Sequence, residues 1–280
     1  MKNPSETETL GRMREALEAA VSALTSFVPG KVSVHSSSPR GPVTEADMVL
    51  NQILRQTLVR DGEGWLSEES VDDLQRLEKR RIWVVDPLDG TREVVAGIPE
   101  WCVSVGLVED GRAIAGGICN PSTGETFLGS LETGVTYNGK KASASKKEGL
   151  TGALVLASRT EAKRGEWDRF GSSDFIIRPV GSVAYKLALV AVGLADATWT
   201  LSPKNEWDIA AGVALIEAAG GFVRSLANSS VTFNNEIVLV SGLLAGGPHL
   251  REQLPSFIHP HLEFQEPGVL LPAGSEQKSK

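Results

Sequence analysis

The chain has 280 residues, 41% hydrophobic and 22% charged, with a formal net charge of -7. That length allows one large domain or two modest ones with a sizeable core. The acidic balance without a long basic run argues against a nucleic-acid polymer as partner, and no stretch reaches the roughly 18 apolar residues that a membrane span needs.

The polar start MKNPSETETLGRM has no apolar signal-peptide centre, so a cytoplasmic location is expected. Residues 1–9 read as frayed. From Leu10, apolar residues Leu10, Met13, Leu17, Val21 and Leu24 recur at three- and four-residue steps, the spacing of an amphipathic helix. Residues 30–42, rich in Gly, Ser and Pro, read as a loop. In GPVTEAD, Thr44 is placed to cap a helix through Met48, Ile53, Leu54 and Leu58. DGEGWLSEES (61–70) leaves that helix through turn residues and a short apolar piece, and 72–81 read as a short charged surface helix.

Strands follow at 82–86, twice within 103–118 around the turn EDGR, and at 126–128; Asn138-Gly139 signals a hairpin. Cys102 and Cys119 sit in apolar runs and read as buried thiols, with neither metal-ligand spacing nor a disulfide framework. Further strands are expected at 153–158 and 175–180, then a helix from Ser182 to about Gly193, a strand at 197–201, a small-residue helix Asp208–Ala219 stopped by Gly220-Gly221, and a last strand at 237–242. Helices and strands mix without a steady βαβ beat. The expectation is two layered α/β systems, residues 1–145 and 146–262, sharing a cleft and followed by a polar tail, 263–280. No glycine-rich dinucleotide or P-loop spacing is present.

The chemistry concentrates in acids. The run WVVDPLDGTRE (83–93) drives a strand into Asp86 and Asp89, and two such carboxylates repel unless something positive lies between them. Asp47 in PVTEAD, Glu68 and Glu69 in LSEES, and Asp208 in EWDIAAG end apolar runs or open helices; taken singly, each is an ordinary cap or solvated acid. Together they suit hard divalent cations with oxygen ligands, while four histidines, three of them near the end, give poor support for a zinc site. Cations held by carboxylates hydrolyse phosphate esters. Gly90 would leave the backbone open to a phosphoryl oxygen, and Thr91 would orient a water.

DPLDGT after an apolar strand resembles the first signature of the inositol monophosphatase superfamily, which includes fructose-1,6-bisphosphatases and 3'(2'),5'-bisphosphate nucleotidases. WDIAAGVALIEAAGG (207–221) resembles the second, and PVTEAD, SEES, Asn138-Gly139 and GSVA (181–184) follow in order, so the likeness spans about residues 10–245. The resemblance implies an alternating α-β-α-β-α layered sandwich, often dimeric, and Mg²⁺-dependent hydrolysis of a small phosphorylated metabolite. Glu68, Asp86, Asp89, Asp208 and the Leu88 carbonyl would hold two or three Mg²⁺ ions, with Mn²⁺ as an alternative. Thr91, with Glu68 or with Asp47 through Thr44, would position the water. Gly90 and Thr91 would hold phosphate, and Gly181, Ser182, Glu206 and Asp208 would face the substrate.

On substrate, DGTREV is nearer the DGTKEF of bisphosphate nucleotidases than the DGTxNF of inositol enzymes. Leu201 stands where inositol enzymes often carry a sugar-contacting Glu, and Glu206 gives the EWD of many nucleotidases. GIPEWCVSVGL (97–107) leans as much the other way. The expected substrate is therefore 3'-phosphoadenosine 5'-phosphate, with Lys186, Arg159 and Lys204 as candidate contacts for its second phosphate. The alternatives are an inositol monophosphate, another sugar or alcohol phosphate, or a non-catalytic binder of phosphorylated metabolites.

Overall fold

A computed structural model describes residues 6–31, 34–37, 42–265 and 269–272. Part of the expected frayed start, residues 32–33 and 38–41 of the expected loop and most of the expected polar tail lie outside the described residues. Helix α1 (Glu6–Ala23) buries Met13, Ala16, Leu17 and Ala20; of the stripe anticipated from the spacing, Met13 and Leu17 face the core while Val21 is exposed. Where a loop was expected, β1 (Val34–Ser37) pairs antiparallel with β2 (Pro42–Thr44). Helix α2 (Glu45–Leu58) starts at Thr44 with a reciprocal capping box to Asp47 and buries Leu50, Leu54 and Leu58.

Both helices cover one face of a seven-stranded sheet. Its strands in order are β3 (Gly64–Ser67), β4 (Arg81–Asp89), β5 (Cys102–Glu109), β6 (Arg112–Asn120), β7 (Glu125–Ser130), β8 (Gly134–Tyr137) and β9 (Lys140–Ala142). β3 and β4 are parallel and the rest antiparallel. Along β4 the side chains alternate: Trp83 and Val85 pack towards α1 and α2, while Ile82 and Val84 join the opposite core. Asn138 (φ 48°) and Gly139 (φ 76°) make the β8–β9 turn, as their sequence signals.

The short helices α3 (Thr91–Val95) and α4 (Arg159–Lys163) flank the cleft. Helices α5 (Val183–Ala191) and α6 (Glu206–Ala218) pack against each other between the first sheet and a second one. The second sheet runs β11-β10-β12-β16-β14, from β10 (Leu154–Ser158), β11 (Ile176–Val180), β12 (Ala197–Thr200), β14 (Phe222–Ser225) and β16 (Leu243–Gly246); β13 (Lys204–Asn205) and β15 (Leu239–Val240) form a separate short ladder. The outer face of that sheet carries an aromatic core of Trp167, Phe170, Phe175 and Trp199 with α7 (Gln253–Ile258). The order of layers is thus α-β-α-β-α, as the resemblance implies. Residues Leu262–Gln265 and Val269–Pro272 form a final antiparallel pair, β17 and β18.

Two further expected elements differ. Within 72–81 only a 3₁₀ turn forms, Gln75–Glu78, because Arg76 folds inward to Asp72, Asn234 and the Asn235 carbonyl. The last core strand is LLAG at 243–246, not 237–242: Gly242 (φ 100°) breaks the run, and β16 is fixed by pairing between β12 and β14. The centre is also closely packed by glycine. A Cβ on Gly106 would lie 2.8 Å from Ala210 Cβ, and one on Gly116 would overlap the Ala211 backbone, so α6 rests almost directly on β5 and β6.

Candidate active site

Strand β4 reaches further than its expected end at 86. It runs to Asp89, which pairs with Cys102, and its register shifts between Asp86 and Asp89, where Pro87 has no N–H to give the ladder. The Leu88 amide turns back to Asp86 Oδ1 at 3.0 Å. Gly90 then takes φ 104°, and a Cβ there would come within 2.9 Å of Trp101 Cβ and 3.1 Å of the Glu100 carbonyl. Only glycine lets the chain pass from strand into α3 here.

Thr91 opens α3. Its Oγ1 donates to the Leu88 carbonyl at 3.1 Å and lies 3.5 Å from Asp47 Oδ1. Asp47 Oδ2 accepts from the Thr44 amide (2.7 Å) and hydroxyl (2.6 Å). The capping box of α2 therefore points an acid at Thr91, and Thr44, Asp47 and Thr91 form one connected set.

Glu68, just past β3, meets Asp86 and Asp208 so that one oxygen from each lies within 4.8 Å of the others. Asp208 reaches this place as the third residue of α6, its Oδ2 holding the Asn205 amide at 2.9 Å. Burial first, then the charges of Asp208, Glu69, Asp89 and Asp47, push the Glu68 carboxyl up to about 8. Burial, then Glu68, Asp89 and Asp208, raise Asp86 well above the usual carboxylate range. An oxygen-only donor set with this much self-repulsion fits a hard divalent cation such as Mg²⁺, whose charge would reverse both shifts.

Asp89 is not in this trio. Its Oδ2 accepts from the Ser182 hydroxyl and the Ala184 amide, both at 2.7 Å, across the cleft on the first turn of α5. Ser182 sits at φ 54°, ψ 131°, unusual for a residue with a Cβ, and also accepts from the Tyr185 amide as the α5 cap. The neighbouring Gly181 gives its amide to Glu100 Oε2 at 2.7 Å, and the same oxygen pairs with Arg159. Lys186, one turn into α5, is fully buried, and burial pulls its ammonium down to about 8. Together these segments line a cavity of about 350 Å³, whose wall holds the carboxylates and also Ser158, Thr160, Ser202 and Lys204.

A model described as the inositol monophosphatase family matches residues 7–261. The chain belongs to the inositol monophosphatase family. Its relatives include an inositol-1-monophosphatase of Mesorhizobium japonicum, 31% identical over 81% of this chain and 91% of that protein. The Nus factor SuhB of Pseudomonas aeruginosa is 29% identical over 82% of this chain and 88% of its own length. Among solved structures, the inositol monophosphatase from Anabaena superposes with a TM-score of 0.74 at 26% identity, covering 91% of this chain and 97% of that one. With the family and the acidic trio established, this inositol monophosphatase family member is a metal-dependent phosphoric monoester hydrolase.

One substrate-side residue sits differently from the sequence reading of this family member. Glu206 is fully buried and turned away from the cavity: its oxygens accept the amides of Asn234 (2.7 Å) and Asn235 (2.9 Å) and the Asn235 side chain (2.8 Å). It clamps the 234–235 loop, so it does not stand in for the glutamate that Leu201 lacks. Leu201 is itself buried in the aromatic core. The acid beside the cavity at this level is Glu161, unnoticed in the sequence. Its Oε1 holds the amides of Leu201 (3.1 Å) and Ser202 (3.0 Å), and its Oε2 accepts from Trp167 Nε1 at 3.1 Å. The capping spacing Ser158-x-x-Glu161 was the available signal.

Proposed function

We propose that the chain hydrolyses the phosphate monoester of a small polyol, of the inositol-phosphate kind, rather than a nucleoside bisphosphate. The observation that carries this is the cavity wall. Beyond the carboxylates it offers the hydroxyls of Ser158, Thr160, Ser182 and Ser202 and several charged groups beside a few aliphatic residues, and none of the lining residues among those described is aromatic. A polyol is recognised by such hydrogen-bonding groups, whereas a nucleobase is held best by an aromatic face. The relatives named as inositol-1-monophosphatases support the same reading. A second reading, 3'-phosphoadenosine 5'-phosphate, draws on Arg159, Arg164 and Lys204 in the wall, but Glu100 and Glu166 already pair with the two arginines.

Glu68, Asp86, Asp89, Asp208 and the Leu88 carbonyl would hold Mg²⁺, two or three ions per site. Bound there, Mg²⁺ would supply Lewis acidity towards the phosphoryl group and lower the pKa of water. Thr91, oriented by Asp47 and Thr44, would hold the attacking water beside Glu68. The amides of Gly90 and Thr91 would steady the phosphoryl oxygens, and Gly181 and Ser182 would border the alcohol. Water oxygen bonds to phosphorus, the P–O bond to the alcohol breaks, and a proton from the water ends on the alcohol oxygen.

The test is kcat/KM for inositol 1-phosphate and for 3'-phosphoadenosine 5'-phosphate under identical Mg²⁺, repeated after chelation. Inositol 1-phosphate should be the better substrate, with turnover abolished by chelation. A higher value for the nucleotide would overturn the polyol reading, and turnover that survives chelation would overturn the metal assignment.

A further inference from the structure

Lys186 is 2% exposed and ranks among the largest fully buried side chains. Among the described residues its ammonium has no ion-pair partner; it donates to two carbonyls, Ser182 at 2.8 Å and Val180 at 3.4 Å. The rest of α5 is apolar, VAYKLALVA, so a methionine or leucine at this position would satisfy the helix and avoid desolvating a charge. A buried cation bonded only to carbonyls is a costly way to fill space.

What it touches gives it a role. Val180, Gly181 and Ser182 form the turn that leads from β11 into α5. Ser182 holds a positive φ of 54° despite its side chain, a conformation that persists only where the surroundings fix it. The Lys186 bond to the Ser182 carbonyl fixes it from the interior side. On the cleft side, the Ser182 hydroxyl and the Ala184 amide converge on one oxygen of Asp89. Cys102 Sγ lies 3.4 Å from the same hydroxyl.

We propose that Lys186 is a positioning residue for the metal site, acting through the Gly181–Ser182 turn on Asp89. By clamping the Ser182 carbonyl it keeps the hydroxyl and the Ala184 amide aimed at Asp89 Oδ2. One oxygen of that carboxylate is thereby fixed by protein donors and the other is left for the cation. The inference rests on the reading of Asp89 as a Mg²⁺ ligand.

The experiment is Mg²⁺ affinity by titration calorimetry on the full chain, for wild type, Lys186→Met, Lys186→Gln, Ser182→Ala and the Ser182→Ala/Lys186→Met double variant, each checked for fold by circular dichroism. Lys186→Met should weaken Mg²⁺ binding about tenfold or more, the usual scale for partners that orient a metal ligand. Ser182→Ala should do likewise, and the double variant should be no worse than the poorer single one, since both act along one path. Lys186→Gln, which keeps a donor for the Ser182 carbonyl, should stay within about threefold of wild type, and it carries the test if the methionine variant does not fold. A folded Lys186→Met with wild-type Mg²⁺ affinity, a glutamine variant as weak as a tenfold loss, or fully additive effects would overturn the proposal. A wild-type chain that binds no Mg²⁺ would instead overturn the metal assignment beneath it.

Discussion

Gly90→Ala should damage both stability and turnover, by amounts that follow from the turn itself. At φ 104° an alanine meets the left-handed penalty, about 1–2 kcal/mol. Its Cβ would also sit 2.9 Å from Trp101 Cβ and 3.1 Å from both the Glu100 carbonyl and Trp101 Cα. Backbone on that side cannot retreat freely, because Glu100 is held by the Gly181 amide and Arg159. Crowding of this sort costs a further ~1–2 kcal/mol. Against this, alanine stiffens the unfolded chain and returns about 0.4–1 kcal/mol. The net loss is about 2 kcal/mol, which for a chain of this size lowers Tm by roughly 4–8 °C. The turn can relieve the contact only by moving Asp89 and Thr91 several tenths of an ångström, and misplacement approaching 1 Å costs about 100-fold in rate, so about a tenfold loss in kcat is expected. Differential scanning fluorimetry and steady-state phosphate release read the two effects. A variant with wild-type Tm and kcat would show that the turn is looser than its glycine requires and would refute the reasoning.

Asp89→Asn should keep the fold, because an amide oxygen can still accept from Ser182 and Ala184, while kcat falls by about 1,000-fold with the loss of metal stabilisation worth several kcal/mol; full turnover with unchanged Mg²⁺ dependence would remove Asp89 from the site. Glu63 should give a pH-dependent stability term: burial pushes its carboxyl up, but the hydrogen bonds from Arg12 and Trp83 and the Arg12 charge outweigh that and hold it below its ordinary 4.5. A depressed folded pKa stabilises above the unfolded value and the contribution fades as pH falls through the folded one. Glu63→Gln should therefore be less stable by about 3 kcal/mol near pH 7, because it strands a buried Arg12, and the gap in urea midpoint should narrow below pH ~4.5; a gap that widens with acid would contradict the sign.

The parts of the site that could be read from the sequence are those whose geometry is local. Thr44 and Asp47 are three residues apart and cap one helix. Asp86, Asp89 and Gly90 occupy one interrupted strand end, and Asp208 sits in the first turn of a helix whose small residues are plain to see. Single elements follow from the same local signals, such as the three- and four-residue steps on α1, whereas the α-β-α-β-α order of layers came with the family resemblance. What was not legible depends on distant partners. IVLVSGLLAG contains two apolar runs of equal promise, and only pairing with β12 and β14 selects the second. Glu206 begins a helix beside the cavity, yet its direction is decided by Asn234 and Asn235, far along the chain. Glu161 was missed for the same reason: this acid from α4 reaches over to the backbone at 201–202.

The close seating of α6 on Gly106 and Gly116 links the centre of the molecule to its chemistry. Asp208 is carried at the entrance of that helix and cannot be adjusted apart from it. The depth to which α6 sinks against β5 and β6 therefore works as a gauge for where one corner of the acidic trio stands. A single methyl group added at residue 106 or 116 would touch neither cation nor substrate, yet it would lift the helix and register in assays as an active-site lesion. Tolerance to change at these two interior glycines is accordingly set by catalysis as much as by packing, and a search for residues that govern turnover in this chain should extend to the floor beneath the helix.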